Sequence, residues 1–519
     1  VTRTVRAASG LVASGHHLAT EAGLAALRDG GSAADAAIAA AAVSAVVLPE
    51  ATGVGGDLFA LVYDARTRAV SVYNGSGAAP RAIDLARFEG GRFPGRGAIL
   101  ATVPGAVAGW ADLVADHGRL GLERALAPAI AYADEGFPLS DRGAEILAAE
   151  AARIGLDEGT AAVFAPRGHW LRGGEVLQQP DLAATLRAVA SAGAGGFYRG
   201  EVAERLAAGI SAMGGALSVD DLAAHRTDRP EPLSVAYRGF TVYGQPPVTQ
   251  GHVLLEELAL ADGFDLAGLG RASVEQIHLM VELKKLAYAD RDLHAGDPRV
   301  TGFDARRLLE PAFIAARRKA VGQRASEGYA GAPLGSDTTY LCAVDRDGNA
   351  VSLIESVFSR FGAAALVPGT GVLLNNRLTG FSLDPRSPNA LAPGKRPVHT
   401  LNAVLVLEGS APRYVYGTPG AQAQVQTNFQ LAVALIDHRL DPQQAIDEPR
   451  WYHEHGRVLK VEARVPEATL KGLAAKGHEI ALLPEWSETT GGAQIIRIEE
   501  NGSFTGGADA RREGHAAGY

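Results

Sequence analysis

A chain of 519 residues, 47% hydrophobic and 21% charged with only 6% aromatics, has the make-up of a globular protein with ample material for a core. Its net charge of -9, with no lysine/arginine run of the kind that marks such surfaces, argues against nucleic acid or an anionic membrane as a partner. A single cysteine, Cys342, excludes an internal disulfide framework and a thiolate metal cluster.

No segment reaches the roughly 18 uninterrupted apolar residues of a membrane span, and no basic-then-apolar leader opens the chain, so the expected location is cytoplasmic. Residues 17–28 read as a helix closed by Asp29-Gly30-Gly31, after which Ser32-Ala33-Ala34-Asp35 caps a second, alanine-rich helix to about Val47. Gly53-Val54-Gly55-Gly56-Asp57 then leads into a strand over 58–63. It lacks the Gly-Lys-Ser/Thr ending of a phosphate loop and reads as a tight crossing of backbones. Residues 105–320 are mostly helical in pattern, most clearly 274–292, where Ile277, Val281, Leu283 and Leu286 are among the apolar positions. Residues 325–336 are small, polar and glycine-bearing, as an exposed linker is, and Gly335 and Ser336 would let it bend. Beyond Thr338 strand patterns dominate, including 372–374, 403–407 and 494–498, with helices near 425–437 and 467–476.

The junction between these two characters carries the chemistry. Leu341, Ala343 and Val344 on one side, and Val351, Leu353 and Ile354 on the other, read as two buried strands. Asp345-Arg346-Asp347-Gly348 suits a three-residue hairpin loop with glycine in the left-handed position. Pairing Asp345 with Asn349 places Thr338 opposite Ser356; a slip of one residue would put Val357 there instead. Were the Asp337–Thr338 bond cut, Thr338 would become an N-terminus carrying its own general base. An α-amine has a pKa of about 7.7–8.0 and is partly unprotonated near neutral pH. Thr338-Thr339 is also what β-propensity alone would put at a strand start.

Other motifs say less. His453-Glu454-His455 is not the His-Glu-x-x-His of a zinc site and has no evident third ligand, so no metal is expected there. Gly417-Thr418-Pro419-Gly420-Ala421 is a turn ahead of a helical stretch, where backbone N–H groups can form an oxyanion hole. No cofactor motif is present.

Taken together, Thr338-Thr339, Val344-Asp345, Asp347-Gly348-Asn349-Ala350-Val351, Phe361-Gly362, Gly371-Val372-Leu373-Leu374-Asn375-Asn376, Phe381-Ser382, Pro393-Gly394-Lys395-Arg396-Pro397, Gly417-Thr418-Pro419-Gly420 and Ala516-Ala517-Gly518-Tyr519 resemble the γ-glutamyltranspeptidase family. So do Asp29-Gly30-Gly31-Ser32-Ala33-Ala34-Asp35-Ala36-Ala37, Gly53-Val54-Gly55-Gly56-Asp57 and Ala289-Asp290-Arg291 upstream, so the likeness runs through the whole chain in order. The resemblance implies an N-terminal-nucleophile (Ntn) hydrolase: an α+β fold with a four-layer αββα sandwich and additional helices. One precursor would cut itself at Asp337–Thr338 into a large subunit (residues 1–337) and a small one (338–519), both parts of one interdigitated fold. It further implies Thr338 as nucleophile, Ser356 as the second hydroxyl and Gly420 with Ala421 as the oxyanion pair. No cofactor is implied, and the oligomeric state is left open, a homo-oligomer included.

The departures bear on substrate. Ser76, in Asn74-Gly75-Ser76-Gly77, stands where the family has an arginine for the glutamyl α-carboxylate. Gly380 replaces the acidic reader of the α-amine and Arg377 its Glu/Gln companion, while the Ser-Ser pair becomes His399-Thr400 and the substrate asparagine becomes Phe358. The loop 384–395 is shorter than in the lid-bearing members. An amino-acid head group needs partners of both signs, so losing the acid disfavours a γ-glutamyl substrate. Arg377 can pair with a carboxylate, or simply form a surface or internal ion pair. Asn-Gly-Ser-Gly, Asn375-Asn376-Arg377 and His399-Thr400-Leu401-Asn402 look like the subgroup that contains oxamate amidohydrolase. The expected substrate is therefore a small carboxylate-bearing amide, met by Arg377, His399, Thr400, Ser76, Phe358 and Asn375. The alternatives are a glutathione hydrolase or γ-glutamyltransferase, a cephalosporin-type acylase for dicarboxylic acid amides, or an inactive homologue.

Overall fold

The computed structural model describes residues 4–88, 90–328 and 337–519; the expected bend at Gly335 and Ser336 lies outside the described residues. Two antiparallel sheets are stacked face to face with helices on both outer faces. A six-stranded sheet runs in the order His515–Gly518, Gly10–Ser14, Thr339–Asp345, Ala350–Ser356, Asp57–Asp64, Ala69–Gly75. A seven-stranded sheet runs Val5–Ala7, Phe504–Ala508, Gln494–Ile498, Ala411–Gly417, Ala403–Glu408, Phe240–Gly244, Leu233–Tyr237. Residues from before and after position 338 contribute strands to both sheets.

Side-chain alternation explains the layering. In the Thr339–Asp345 strand, Tyr340, Cys342 and Val344 point into the core between the sheets, where they meet Leu405, Val415 and Ile496. Leu341 and Ala343 point the other way, into a core shared with the helices. A strand covered on both faces must be apolar at every position, which is why it reads as a continuous run. The helix beneath it, Ala33–Val47, is buried along its whole length. Its alanines let the helix His17–Arg28 come so close that a Cβ on Gly23 would sit 2.8 Å from the Ala36 carbonyl oxygen. The Ser32 and Asp35 side chains form the expected capping box. On the opposite outer face Gly251–Ala261, Val274–His294 and Ala423–Ala432 pack over the seven-stranded sheet. The four layers are thus helix, sheet, sheet, helix.

Several expected boundaries move by one or two residues. The helix expected to 437 is α-helical only to Ala432 and continues as a π-helical turn over Val433–Asp437. The middle of the chain is less uniformly helical than its pattern suggests, since Leu233–Tyr237 and Phe240–Gly244 pair as an edge hairpin. Those strands are five residues each and only partly buried, so their alternation carries little signal.

Candidate active site

The hairpin that leads from Thr338 to Ser356 has the register its loop demands. Asp345 N–H donates to the Asn349 carbonyl, Ala350 faces Val344 and Thr339 faces Glu355, so Thr338 comes level with Ser356. Gly348 takes φ +86°, the left-handed conformation required at the end of this loop. The Asp345 carboxylate holds the turn by accepting from Asp347 N, Asn349 N and Asn349 Nδ2, and it reaches Ala33 N on the helix below.

At the end of the hairpin, two hydroxyls converge on one carbonyl. Thr338 Oγ1 donates to the Asp337 carbonyl oxygen at 2.6 Å and Ser356 Oγ donates to the same oxygen at 2.8 Å. Ser356 Oγ in turn accepts from Phe358 N at 2.7 Å, so its proton is directed at Asp337. All three residues are buried, with Thr338 only 3% exposed. Phe358 adopts φ +85°, unusual for a bulky residue, and its carbonyl receives Asp337 N–H. Strained backbone of this kind clusters where a site is held in one geometry.

The Asp337 side chain is held by a set of arginines that sequence reading did not single out. Arg512 Nη1 pairs with its Oδ1, Arg360 Nε lies 3.3 Å from its Oδ2, and Thr338 N–H donates to Oδ1 at 2.9 Å. Burial alone would raise this carboxyl, but Arg512, Arg142 and Arg360 hold it below its ordinary value. Glu488 ties Arg142 to Arg360, and Arg142 also faces the buried Glu50, whose carboxyl burial pushes up to about 7 despite that arginine.

Opposite Thr338 lies the turn at Gly420 and Ala421. Gly420 takes φ +126° and Ala421 φ +51°, and among the described residues neither N–H has a backbone partner. Gln424 N donates to the Ala421 carbonyl, and Gln424 Nε2 reaches Thr338 Oγ1 at 3.4 Å, which fixes this turn beside the threonine. Gln424, a helix residue 86 positions from Thr338, had no sequence signal beyond its place after the glycine turn.

The remaining expected residues fall behind Ser356. Asp57 pairs with Ser356 across the sheet, and Arg377 Nε donates to Asp57 Oδ2 at 2.9 Å with both side chains fully buried. Burial pushes the Asp57 carboxyl up and the guanidinium down, each opposed by the charge of the other. The guanidinium lies 4.5 Å from the centre of the Phe358 ring, and its Nη1 and Nη2 have no partner among the described residues. His399 is buried edge-on to Phe59 with both ring nitrogens likewise unpartnered. Burial and the nearby Arg377 and Arg396 hold it neutral. Thr400 is buried beside it, and Ser76 Oγ donates to Asn74 Oδ1 at 2.6 Å.

Asn375 is engaged entirely with protein. Its Nδ2 donates to the Gly55 and Thr102 carbonyls, and its Oδ1 accepts from Thr102 and from Arg377 N. The glycine loop it grips is a crossing of backbones: a Cβ on Gly55 would lie 2.1 Å from Leu373 O, and one on Gly56 2.5 Å from Ser356 O. Away from this site, His453 ends its strand and is engaged by Lys284 Nζ and the Gly456 carbonyl, while His455 lies beyond it on the surface. No helix among the described residues is long and apolar enough to cross a membrane.

The arrangement fits one chemistry: a hydroxyl poised at an amide carbonyl, a second hydroxyl on the same oxygen, and free backbone N–H groups alongside. Comparison with known proteins agrees. The family model described as gamma-glutamyltranspeptidase matches residues 19–519. A glutathione hydrolase-like YwrD proenzyme of Bacillus subtilis and an oxamate amidohydrolase proenzyme of Klebsiella pneumoniae are each 37% identical, over 98% of this chain and 98% of their own. A solved cephalosporin acylase from Bacillus halodurans superposes with a TM-score of 0.95 at 36% identity, covering 100% of this chain and 97% of that one.

Proposed function

The chain belongs to the gamma-glutamyltranspeptidase family of Ntn hydrolases acting on amide bonds, and within it we propose an autoprocessed threonine amidohydrolase for a small amide bearing a carboxylate, of the oxamate type. In the first step Thr338 Oγ1 attacks the Asp337 carbonyl carbon. The C–N bond breaks, the Thr338 nitrogen keeps its proton and gains the hydroxyl proton, and an ester joins the two residues. Water opens that ester, leaving residues 1–337 as the large subunit and 338–519 as the small one. In turnover the freed α-amine takes the hydroxyl proton, Oγ1 attacks the substrate carbonyl, and ammonia departs with that proton. Ser356 steadies the nucleophile, and the Gly420 and Ala421 N–H groups receive the oxyanion. Water then releases the acid.

The observation that carries the substrate reading is the Arg377 guanidinium, fully buried with two nitrogens unpartnered among the described residues and paired with Asp57, the residue that faces Ser356 across the sheet. A desolvated cation so placed favours an anion, and its planar fork matches a carboxylate. Gly380 supplies no acid for an α-ammonium group, which weighs against γ-glutamyl compounds. His399, Thr400, Phe358 and Ser76 would shape the small pocket around that carboxylate, and Asn375 would hold Arg377 in place through its backbone. The test is intact mass spectrometry with an ammonia-release screen comparing oxamate, a glutaryl amide and a γ-glutamyl anilide. Two masses split at 337/338 and preference for the small carboxylate amide are expected; faster turnover of the γ-glutamyl anilide would overturn the substrate assignment.

A further inference from the structure

We propose that His278, Glu282 and His478 form a divalent-metal site, zinc by its donor set, at a joint between the two halves of the chain remote in sequence from Thr338. Each is almost fully buried (4%, 3% and 4% exposed), and one donor atom from each lies within 4.8 Å of the other two. His278 and Glu282 stand one turn apart on the helix Val274–His294, which aims both at the same point. His478 enters from the turn between helix Glu467–Ala475 and strand Glu479–Leu483.

The hydrogen bonds leave the right atoms free. His278 Nε2 is 3.0 Å from the Gly322 carbonyl, which can only accept, so that nitrogen carries the proton and Nδ1 carries the lone pair. A backbone carbonyl accepting from the far ring nitrogen in this way is what fixes the tautomer of metal-bound histidines. Nδ1 faces His478 Nε2 at 2.9 Å, with the two rings crossed at 70°. His478 Nε2 therefore donates to His278 Nδ1, yet His478 Nδ1 is buried without a partner among the described residues. The proton can move to that nitrogen and free Nε2 for a metal. Burial holds both imidazoles neutral, as ligands must be, with His478 lowered to about 3. Glu282 Oε1 accepts from Lys285 Nζ at 2.8 Å, whereas Oε2 has only a long contact of 3.3 Å from Ser326 N.

Two histidines and one carboxylate are a known zinc donor set that keeps one position for water. Bonds of about 2.0–2.2 Å place tetrahedral ligand atoms about 3.4 Å apart, so the two nitrogens need to separate by only about 0.5 Å. The consequence is a staple. His278 and Glu282 precede the Asp337–Thr338 bond, His478 follows it, and the same two ligands hold Gly322 and Ser326, with Ala325 N–H bonded to the Lys476 carbonyl. A bound ion would pin the segment 322–326 to both halves whether or not the chain is cut, so the site stands apart from the amidase reading.

The experiment is to strip the full-length protein with chelator, dialyse it against Zn2+ and measure bound metal by plasma mass spectrometry. The Co2+ form is then examined by visible absorption. About one zinc per chain is expected with a tetrahedral cobalt band, and both should be lost in His478→Gln and Glu282→Gln. Zn2+ should raise the melting temperature of the wild type and leave that of His478→Gln unchanged. Wild-type protein without retained zinc, or His478→Gln protein retaining as much, would leave a hydrogen-bonded histidine pair only and overturn the proposal. Since His478 lies on a turn and Glu282→Gln is isosteric, two independent variants guard against a folding failure in one.

Discussion

The Ser356 hydroxyl donates to the Asp337 carbonyl oxygen at 2.8 Å, the oxygen on which negative charge would grow if Thr338 attacked. Its orientation is set by the Phe358 N–H that it accepts, so it is a preorganised donor. Ser356→Ala should slow self-cleavage by about 100-fold to 1,000-fold, the usual effect of removing one such donor. Ser356→Thr should cleave close to the wild-type rate. A gel time course of the freshly expressed precursor measures both, and unimpaired cleavage of the alanine variant would remove Ser356 from the processing step.

Thr338→Ala removes the hydroxyl proposed as nucleophile while leaving its neighbours in place. A single uncut chain without amidase activity is the expected product, seen by intact mass. Thr338→Ser retains a hydroxyl and an amine and should cut at the same bond. A cut, active alanine variant would end the assignment.

Arg377 tests substrate recognition separately from processing. Arg377→Lys keeps the positive charge facing Asp57 but loses the planar fork, so KM for a small carboxylate amide should rise about 10-fold to 100-fold, the scale of one charge-assisted hydrogen bond. Arg377→Met leaves the Asp57 carboxylate buried and unpaired, at a cost of about 3–5 kcal/mol of stability. Asp57→Asn with Arg377→Met should recover much of that stability without recovering turnover. Thermal melts and steady-state kinetics on the four proteins separate the two roles.

What could be read in the chain divides along sequence distance. The hairpin register followed from Asp345, Gly348 and Asn349, three residues of one loop whose geometry admits few solutions. The buried strand could be read from a run that is apolar at consecutive positions, whereas the four-layer sandwich was implied only by the family resemblance, because which faces are covered is set by tertiary packing. Arg512, Arg360 and Arg142 carry no local mark, because what brings them to Asp337 is tertiary packing across 175, 23 and 195 positions. Asn375 shows the converse. Its motif was legible, but only the fold reveals that its amide grips Gly55 and Thr102. His278 and His478, 200 residues apart, were invisible as a pair for the same reason.

Glu50 gives the protein a pH dependence of defined sign. Its folded pKa is raised from 4.5 to about 7, chiefly by burial, so the folded state binds a proton that the unfolded state has lost between those values. Stability therefore falls as pH rises from about 4.5 to 7 and levels off above, by at most about 3 kcal/mol from this group. Uncut Thr338→Ala protein should melt at a lower temperature at pH 8 than at pH 5.5. Glu50→Gln in that background should flatten the profile and stabilise chiefly at the high end. An unchanged slope would assign the dependence to other buried acids such as Glu355 and Glu257, both raised to about 8.

The pairing of Asp337 with Arg512 makes the residue before the scissile bond a handle on cleavage. The carboxylate accepts from Arg512, from Arg360 and from the Thr338 N–H, so one side chain ties the departing nitrogen to two cations. Asp337→Asn keeps the shape and one acceptor but removes the charge, leaving the arginines facing an amide. Charge-assisted bonds of this kind contribute about 1.5–3 kcal/mol, so cleavage should slow by about 10-fold to 150-fold. Arg512→Met should slow it to a similar extent, because it leaves Asp337 buried with one cation fewer. If the two act through each other, Asp337→Asn with Arg512→Met should be no slower than either single variant, the signature of a coupled pair in a double-mutant cycle. Multiplicative losses would instead mean that each residue orders the scissile bond on its own, with Arg360 the working partner of the carboxylate.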